Sequence, residues 1–172
     1  MSTMTDIRTM IAAGLERAFA THGFAEPNIE TLREAAGVSL RTLYRYMPSR
    51  GEMVLAALEH RHRRYLDHLF TGLPEDPSEV VSHIIDRVAE WMEREASHGC
   101  LFHAAVAASP ADLRLMALLA AHKAEVAGRV AEAANMAGRE DDIGLILEGL
   151  TQSFPIRGAN ATISAKRICA LL

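Results

Sequence analysis

Between Asn28 and Pro48 the chain has room for only two very short helices, and this is the tightest constraint its sequence places on the fold. Asn28 is a good cap for a helix whose Ile29, Leu32 and Ala36 face inward. Gly37 ends that helix, because glycine accepts the left-handed backbone that closes a helical turn. Gly37-Val38-Ser39 reads as a tight corner. Ser39 then caps a third helix of about two turns, which Pro48 stops. Two short helices joined through a glycine corner predict a helix-turn-helix over residues 28–47, with a second rod that fits the major groove of DNA.

The rest of the chain predicts helix as well. Ala, Leu, Glu and Arg dominate, and neither strand alternation nor an Asn-Gly or Asp-Gly hairpin signal appears. Ile7, Ile11, Leu15, Ala18 and Phe19 form one stripe of a first helix that stops near His22-Gly23. A fourth helix opens at "SRGE", where Ser49 and Glu52 make a capping box and Gly51 is a mild liability. "GLPEDPSE" is a linker, with Ser78 as cap of a fifth helix carrying Val81, Ile84, Ile85, Val88 and Met92. A short apolar helix follows His98-Gly99. Ser109 then caps, with Pro110 at the first position, a long helix to about Met136. Gly138, the Pro155–Gly158 break and Asn160 delimit two last helices, roughly 140–154 and 160–171. The fold class is all-α, with about nine helices.

Charge separates the two ends of the chain. Residues 1–64 hold nine Lys/Arg and seven Asp/Glu, or +2, whereas residues 65–172 hold nine and fifteen, or −6, which together give the net −4. Only Lys123 and Lys166 are lysines, so the positive surface is almost all guanidinium, a group suited to bidentate contact with phosphate or guanine. Codon bias toward arginine accounts for the ratio equally well. "AAGVSLRTLYRYMPSR", residues 35–50, carries three arginines and no acid. On a helical wheel Leu40, Leu43 and Met47 cluster on one side of the third helix, with Arg41, Thr42, Arg45 and Tyr46 on the other and Tyr44 beside the apolar stripe. Arg41 suits a guanine edge, Thr42 a thymine methyl or base acceptor, and a tyrosine hydroxyl a phosphate. A solvated face, with tyrosines covering a core edge, is the alternative.

These residues carry a resemblance. Ala35-Ala36-Gly37-Val38-Ser39, Thr42-Leu43-Tyr44-Arg45-Tyr46 and Met47-Pro48-Ser49-Arg50 resemble the DNA-binding region of the tetracycline-repressor (TetR) family, over residues 7–60 or so. The resemblance implies an N-terminal three-helix helix-turn-helix domain at 1–48 and a helical ligand-binding and dimerisation domain at 49–172. It implies DNA contacts at Asn28, Ser39, Arg41, Thr42, Tyr44, Arg45, Tyr46 and Arg50, with Arg50 where the family usually has a phosphate-touching lysine. Met47 stands in place of a phenylalanine and Gly51 in place of a common glutamate, and Gly51 puts the stiffness of the joint to the fourth helix in question. The implied protein is a homodimeric repressor, released from a palindromic operator in double-stranded DNA by a small hydrophobic effector that shifts the fourth helix.

Signals in the larger, acidic part are weaker. "GCLF" at Gly99–Phe102 resembles a motif of one subset of TetR-like regulators. Trp91, Met92, Phe102, His103 and Met116 are the candidate ligand-binding residues, each more readily read as core. Leu145, Ile146, Leu150, Ile163, Ile168 and Leu171 supply apolar stripes for an intermolecular four-helix bundle or for packing within the chain. Cys100 with His103, and His122 with Glu125, are spaced for a metal but lack a third ligand, so no metal site and no cofactor are expected. His60, His62 and His68 beside Arg61, Arg63 and Arg64 read as a solvated helix face. Cys100 and Cys169 read as separate buried thiols. No catalytic motif appears, so an enzyme is not expected. The N-terminus lacks the order of a secretory signal and no run is long enough to span a membrane, so a cytoplasmic protein is expected. Two rival readings stay open. One is a thiol-based redox sensor acting through Cys100. The other is an all-helical small-molecule-binding protein or enzyme without DNA binding.

Overall fold

The structure, a computed structural model, describes residues 4–96 and 99–172. Among these the chain forms nine helices and no strand: α1 (Met4–His22), α2 (Ile29–Ala36), α3 (Leu40–Tyr46), α4 (Arg50–Phe70), α5 (Pro77–Glu95), α6 (Leu101–Ala108), α7 (Leu113–Ala133), α8 (Glu140–Arg157) and α9 (Ala159–Cys169). His98, expected just before the sixth helix, lies outside the described residues.

Three predicted boundaries move, each for a local reason. Pro77 is the first residue of α5 and keeps its predecessor out of the helical region, so the cap falls on Asp76, whose carboxylate accepts from Ser78 N at 2.9 Å, and not on Ser78. That hydrogen bond holds the Asp76 carboxyl below its ordinary range. Pro110 and Ala111 form a turn closed by Asp112 N donating to Ser109 O at 3.0 Å, so α7 starts at Leu113 with Asp112, not Ser109, at its head. Pro155 lies inside the last turn of α8. Its fixed φ is compatible with a helix, and the chain turns only at Gly158, where φ is +50°.

The chain divides into two compact units. The first runs to Arg64 and takes in Leu101–Met116; the second comprises Tyr65–Cys100 and Ala117–Leu172. In the first, α1 packs on α2 and α2 on α3. Gly14 makes the α1–α2 crossing possible, since a Cβ there would stand 2.1 Å from Ala35 O. Ile11, Leu15, Phe19, Leu32, Leu43, Met47 and Met53 fill the core, with little or no surface exposed.

That core also holds charge. Glu16, 1% exposed, accepts from Arg61 Nη1 at 3.1 Å and Arg64 Nη1 at 2.7 Å, and its other oxygen is 2.5 Å from His60 Nδ1. A buried carboxylate persists only when paired and hydrogen-bonded, and here three groups from α4 do both. The basic stretch of α4 is therefore not a solvated face. Arg61 and His62 are buried, and the His62 ring meets Phe102 edge-on at 6.4 Å.

The second unit is built differently. α5 packs on α8 and α9, and α8 on α9, around a continuous apolar cluster that includes Ile84, Ile85, Val88, Val130, Ile143 and Leu150. Lys166 pairs with Asp86 at 2.6 Å on its surface.

Candidate nucleic-acid interface

The corner that presents α3 is built from caps. Asn28 Oδ1 accepts from Thr31 N at 2.9 Å and Thr31 Oγ1 at 3.2 Å. Gly37 closes α2 at φ +68°, its N–H shared between Arg33 O and Glu34 O. Ser39 Oγ accepts from Thr42 N at 3.1 Å and lies 2.9 Å from Thr42 Oγ1. Asn28 and Ser39, together with the Thr42 hydroxyl, are thus engaged in holding the two helices in shape.

Leu43 and Met47 are fully buried, which turns the opposite side of α3 outward. Arg41 and Arg45 are exposed, Tyr44 is 44% exposed, and Thr42 and Tyr46 are half-buried. Leu40 departs from the wheel. As the first residue of the helix it leaves the core and is exposed, where periodicity groups it with Leu43 and Met47. The Arg45 guanidinium lies over the Tyr46 ring, 4.9 Å from its centroid. Arg41 and Tyr44 make no side-chain hydrogen bond, ion pair or ring contact among the described residues. On α2, by contrast, Arg33 is spent on its own helix, paired with Glu30 at 2.7 Å and Glu34 at 3.2 Å. Of α2 and α3, it is therefore α3 that carries arginines unpaired with a carboxylate among the described residues.

Arg50 is exposed as well, but its guanidinium is engaged within the chain. It opens α4, and its Nη2 and Nη1 donate to Phe24 O at 2.7 Å and Pro27 O at 2.9 Å. Next to it, Gly51 leaves room for Arg114, since a Cβ would stand 2.8 Å from Arg114 Nη2. Arg114 forks onto Asp112 and reaches Glu52 at 3.1 Å, while Ser49 Oγ caps Glu52 N at 3.2 Å. Hydrogen bonds from Arg114 lower the Asp112 pKa.

The five residues predicted to bind a ligand fall in both units. Trp91 and Met92 are buried in the second, Trp91 edge-on to Tyr65 at 5.2 Å. Phe102 is buried in the first, where His103 is half-buried and Met116 is 51% exposed. Two cavities are lined by other residues. One of about 350 Å³ lies in the second unit, between Tyr65, Lys123, Ala127, Gly144, Leu147 and Thr151. Another, of about 700 Å³, lies in the first, between Phe24, Arg50, Val54, Ala105, Arg114 and Leu115. No contiguous run of sequence marks either one.

Of the apolar stripes on the last two helices, Ile146 and Leu150 are core. Leu145 (76%), Ile163 (49%), Ile168 (52%) and Leu171 (85%) are exposed, as is Ile156 (87%). Cys100 and Cys169 are half-buried thiols, and burial raises the Cys169 pKa. Among the described residues, no third ligand joins either His pair, and no helix is long and apolar enough to cross a membrane.

Residues 11–57 match the model of the bacterial regulatory proteins of the tetR family. Among solved structures, the chain is similar to a TetR-family transcriptional regulator from Streptomyces coelicolor, at 19% identity and TM-score 0.77, covering 96% of this chain and 87% of that one. It is similar to a TetR transcription regulator from Haloarcula marismortui, at 16% identity and TM-score 0.79, covering 98% and 99%. The fatty acid degradation regulator FadR from Bacillus halodurans shares the fold at 14% identity and TM-score 0.65, covering 96% and 93%. No curated protein sequence matches the chain.

Proposed function

Because residues 11–57 make the chain a member of the tetR family of bacterial regulatory proteins, we propose that it is a homodimeric repressor that an effector releases from its operator. One observation carries the DNA-binding part of this reading. The outward face of α3 presents Arg41, Tyr44 and Arg45 with no acid on the helix, which is held by a glycine corner and a serine cap. Arg41, at the start of the helix and without a hydrogen-bond or ion-pair partner among the described residues, is the base reader. Tyr44, Arg45 and Tyr46 meet the backbone, and Thr42 borders the bases. The α3 helices of a dimer reach successive major grooves when their centres lie about 34–36 Å apart.

Dimerisation through α8 and α9 is supported by the apolar side chains those helices leave exposed, which water disfavours. An effector site in the second unit is supported by the cavity of about 350 Å³, a volume suited to a small molecule, whose lining sets Tyr65, Ala127 and Leu147 beside the charged Lys123, Glu140, Asp141 and Glu148. Such an effector acts by preferring the conformation that does not bind DNA, with a coupling of about 1–3 kcal/mol.

The test is fluorescence anisotropy on a duplex that the wild-type chain selects from a random pool, run over a salt series. The expected result is binding that depends on sequence, weakens linearly with log salt, and drops by at least about tenfold in Arg41→Ala. Binding indifferent to sequence, or unchanged in Arg41→Ala/Tyr44→Ala, overturns the assignment.

A further inference from the structure

Arg50 sits at the start of α4, and two hydrogen bonds from its guanidinium run backward along the chain. Nη2 donates to Phe24 O at 2.7 Å and Nη1 to Pro27 O at 2.9 Å. Phe24 follows the glycine that ends α1, and Pro27 precedes the cap of α2, so one guanidinium holds both ends of the α1–α2 connection. These carbonyls lie outside the helices and need a donor from elsewhere. The guanidinium carbon also lies 5.8 Å from the centroid of the Phe19 ring, which is fully buried and stacked on Phe24 at 4.9 Å. Among the described residues no carboxylate pairs with Arg50. Carbonyl dipoles, an aromatic face and solvent meet its charge instead.

This set of partners demands an arginine. A planar fork donates to two carbonyls at once and lies flat near a ring, whereas an ammonium is a point charge on a flexible stem. Only Met47, Pro48 and Ser49 separate Arg50 from α3, and Met47 is itself buried in the core. Fixing the start of α4 on the α1–α2 turn therefore fixes the end of α3.

We propose that Arg50 is a positioning residue, a brace that sets α3 against α1 and α2, and not the phosphate contact that its place in the sequence suggests. The proposal rests on the DNA-binding reading above, and its test separates the two. Arg50→Lys keeps the charge and removes the fork; Arg50→Ala removes both.

Each variant is titrated as the full chain against the duplex selected by the wild type, across a salt series. Amide hydrogen exchange is followed on the same proteins without DNA, with the α8 amides as the internal control for folding. For a brace, both variants bind at least about tenfold more weakly. Their slope of log affinity against log salt stays at the wild-type value, and the α3 amides of Arg50→Lys exchange faster than wild type while those of α8 do not. For a phosphate-binding role, Arg50→Lys binds like wild type, and Arg50→Ala lowers the slope by about 0.9 for each phosphate it no longer neutralises. That result overturns the proposal. If the wild-type chain selects no sequence, the repressor reading falls and exchange alone decides on the brace. Faster exchange at α3 in Arg50→Lys then supports it, and unchanged exchange overturns it.

Discussion

In the first unit a carboxylate lies in the core among one histidine and two arginines, whereas the core cluster of the second is apolar. The surfaces invert this pattern. α3 turns arginine and tyrosine to solvent, while α8 and α9 turn out leucine and isoleucine. Directional ion pairs and hydrogen bonds admit few arrangements, so they suit a unit that must hold one helix at a set angle. Apolar packing is tolerant of shape, so it suits a unit for which a ligand inside and a second copy outside are proposed. The brace proposed at Arg50 belongs to the first style, since its partners are backbone carbonyls that no neighbouring side chain replaces.

The largest effect should come from Glu16. Replacing it with alanine takes away the buried carboxylate that His60, Arg61 and Arg64 share, a change that typically costs about 3–5 kcal/mol. Urea denaturation should record that loss. A loss below about 1 kcal/mol removes the contrast between the units, because the charged core then specifies little. The counterpart in the second unit is Ile84→Val, at a fully buried site, with an expected loss of about 0.5–1.5 kcal/mol. If Glu16→Gln, nearly the same shape, still costs more than Ile84→Val, charge itself and not side-chain volume separates the two cores.

Leu145→Glu and Ile168→Glu test the apolar exterior. Both side chains are exposed in the single chain, so the substitutions should change its own stability by less than about 0.5 kcal/mol. Sedimentation equilibrium should nevertheless show weaker self-association. Wild-type chain that sediments as a monomer at micromolar concentration removes α8 and α9 from the dimer reading.

Most of the fold follows from local signals. Asn28, Ser39 and Gly37 act within three or four residues of themselves, and their caps and turn stand where the sequence puts them. Asp76 and Asp112 supplant Ser78 and Ser109 for equally local reasons, a proline after the cap in one case and a turn in the other. The features that the sequence hides are long-range. Glu16 meets residues 44 to 48 positions away, and a histidine-arginine stretch on a helix looks solvated until the carboxylate it covers is known. A faint signal exists, because Glu16 lies between Ala12, Leu15 and Phe19 on the inward side of α1. The partners of Arg50 are main-chain carbonyls, which no side-chain pattern encodes. Cavities arise from elements distant in sequence, which is why Trp91, Phe102 and Met116, chosen for size and softness, line neither of the two described.

The smallest effect should be that of Gly51→Ala, where two terms oppose each other. Alanine favours a helix over glycine by up to about 1 kcal/mol, less in a first turn. Against this, the new Cβ stands 2.8 Å from Arg114 Nη2, the far end of a flexible side chain, so Arg114 swings away and its reach to Glu52 is lost. Arg114 is 56% exposed, and an ion pair so open to solvent contributes little. The two terms nearly cancel, and the unfolding free energy measured in urea should move by less than about 0.5 kcal/mol in either direction. Asp112 keeps its fork only while Arg114 stays, so the variant's Asp112 should titrate nearer its ordinary value by NMR. Because the folded value is depressed in the wild type, the stabilisation it gives is complete above the unfolded pKa and is lost as pH falls through the folded one. Acid removes that stabilisation from the wild type and leaves alanine's helix preference unopposed, so the two proteins should differ least near neutral pH and the variant should become the more stable one in acid. A clear destabilisation that persists at low pH would instead place the cost in the backbone of α4, and Gly51 would join Gly14 as a position where close approach, and not charge, shapes the first unit.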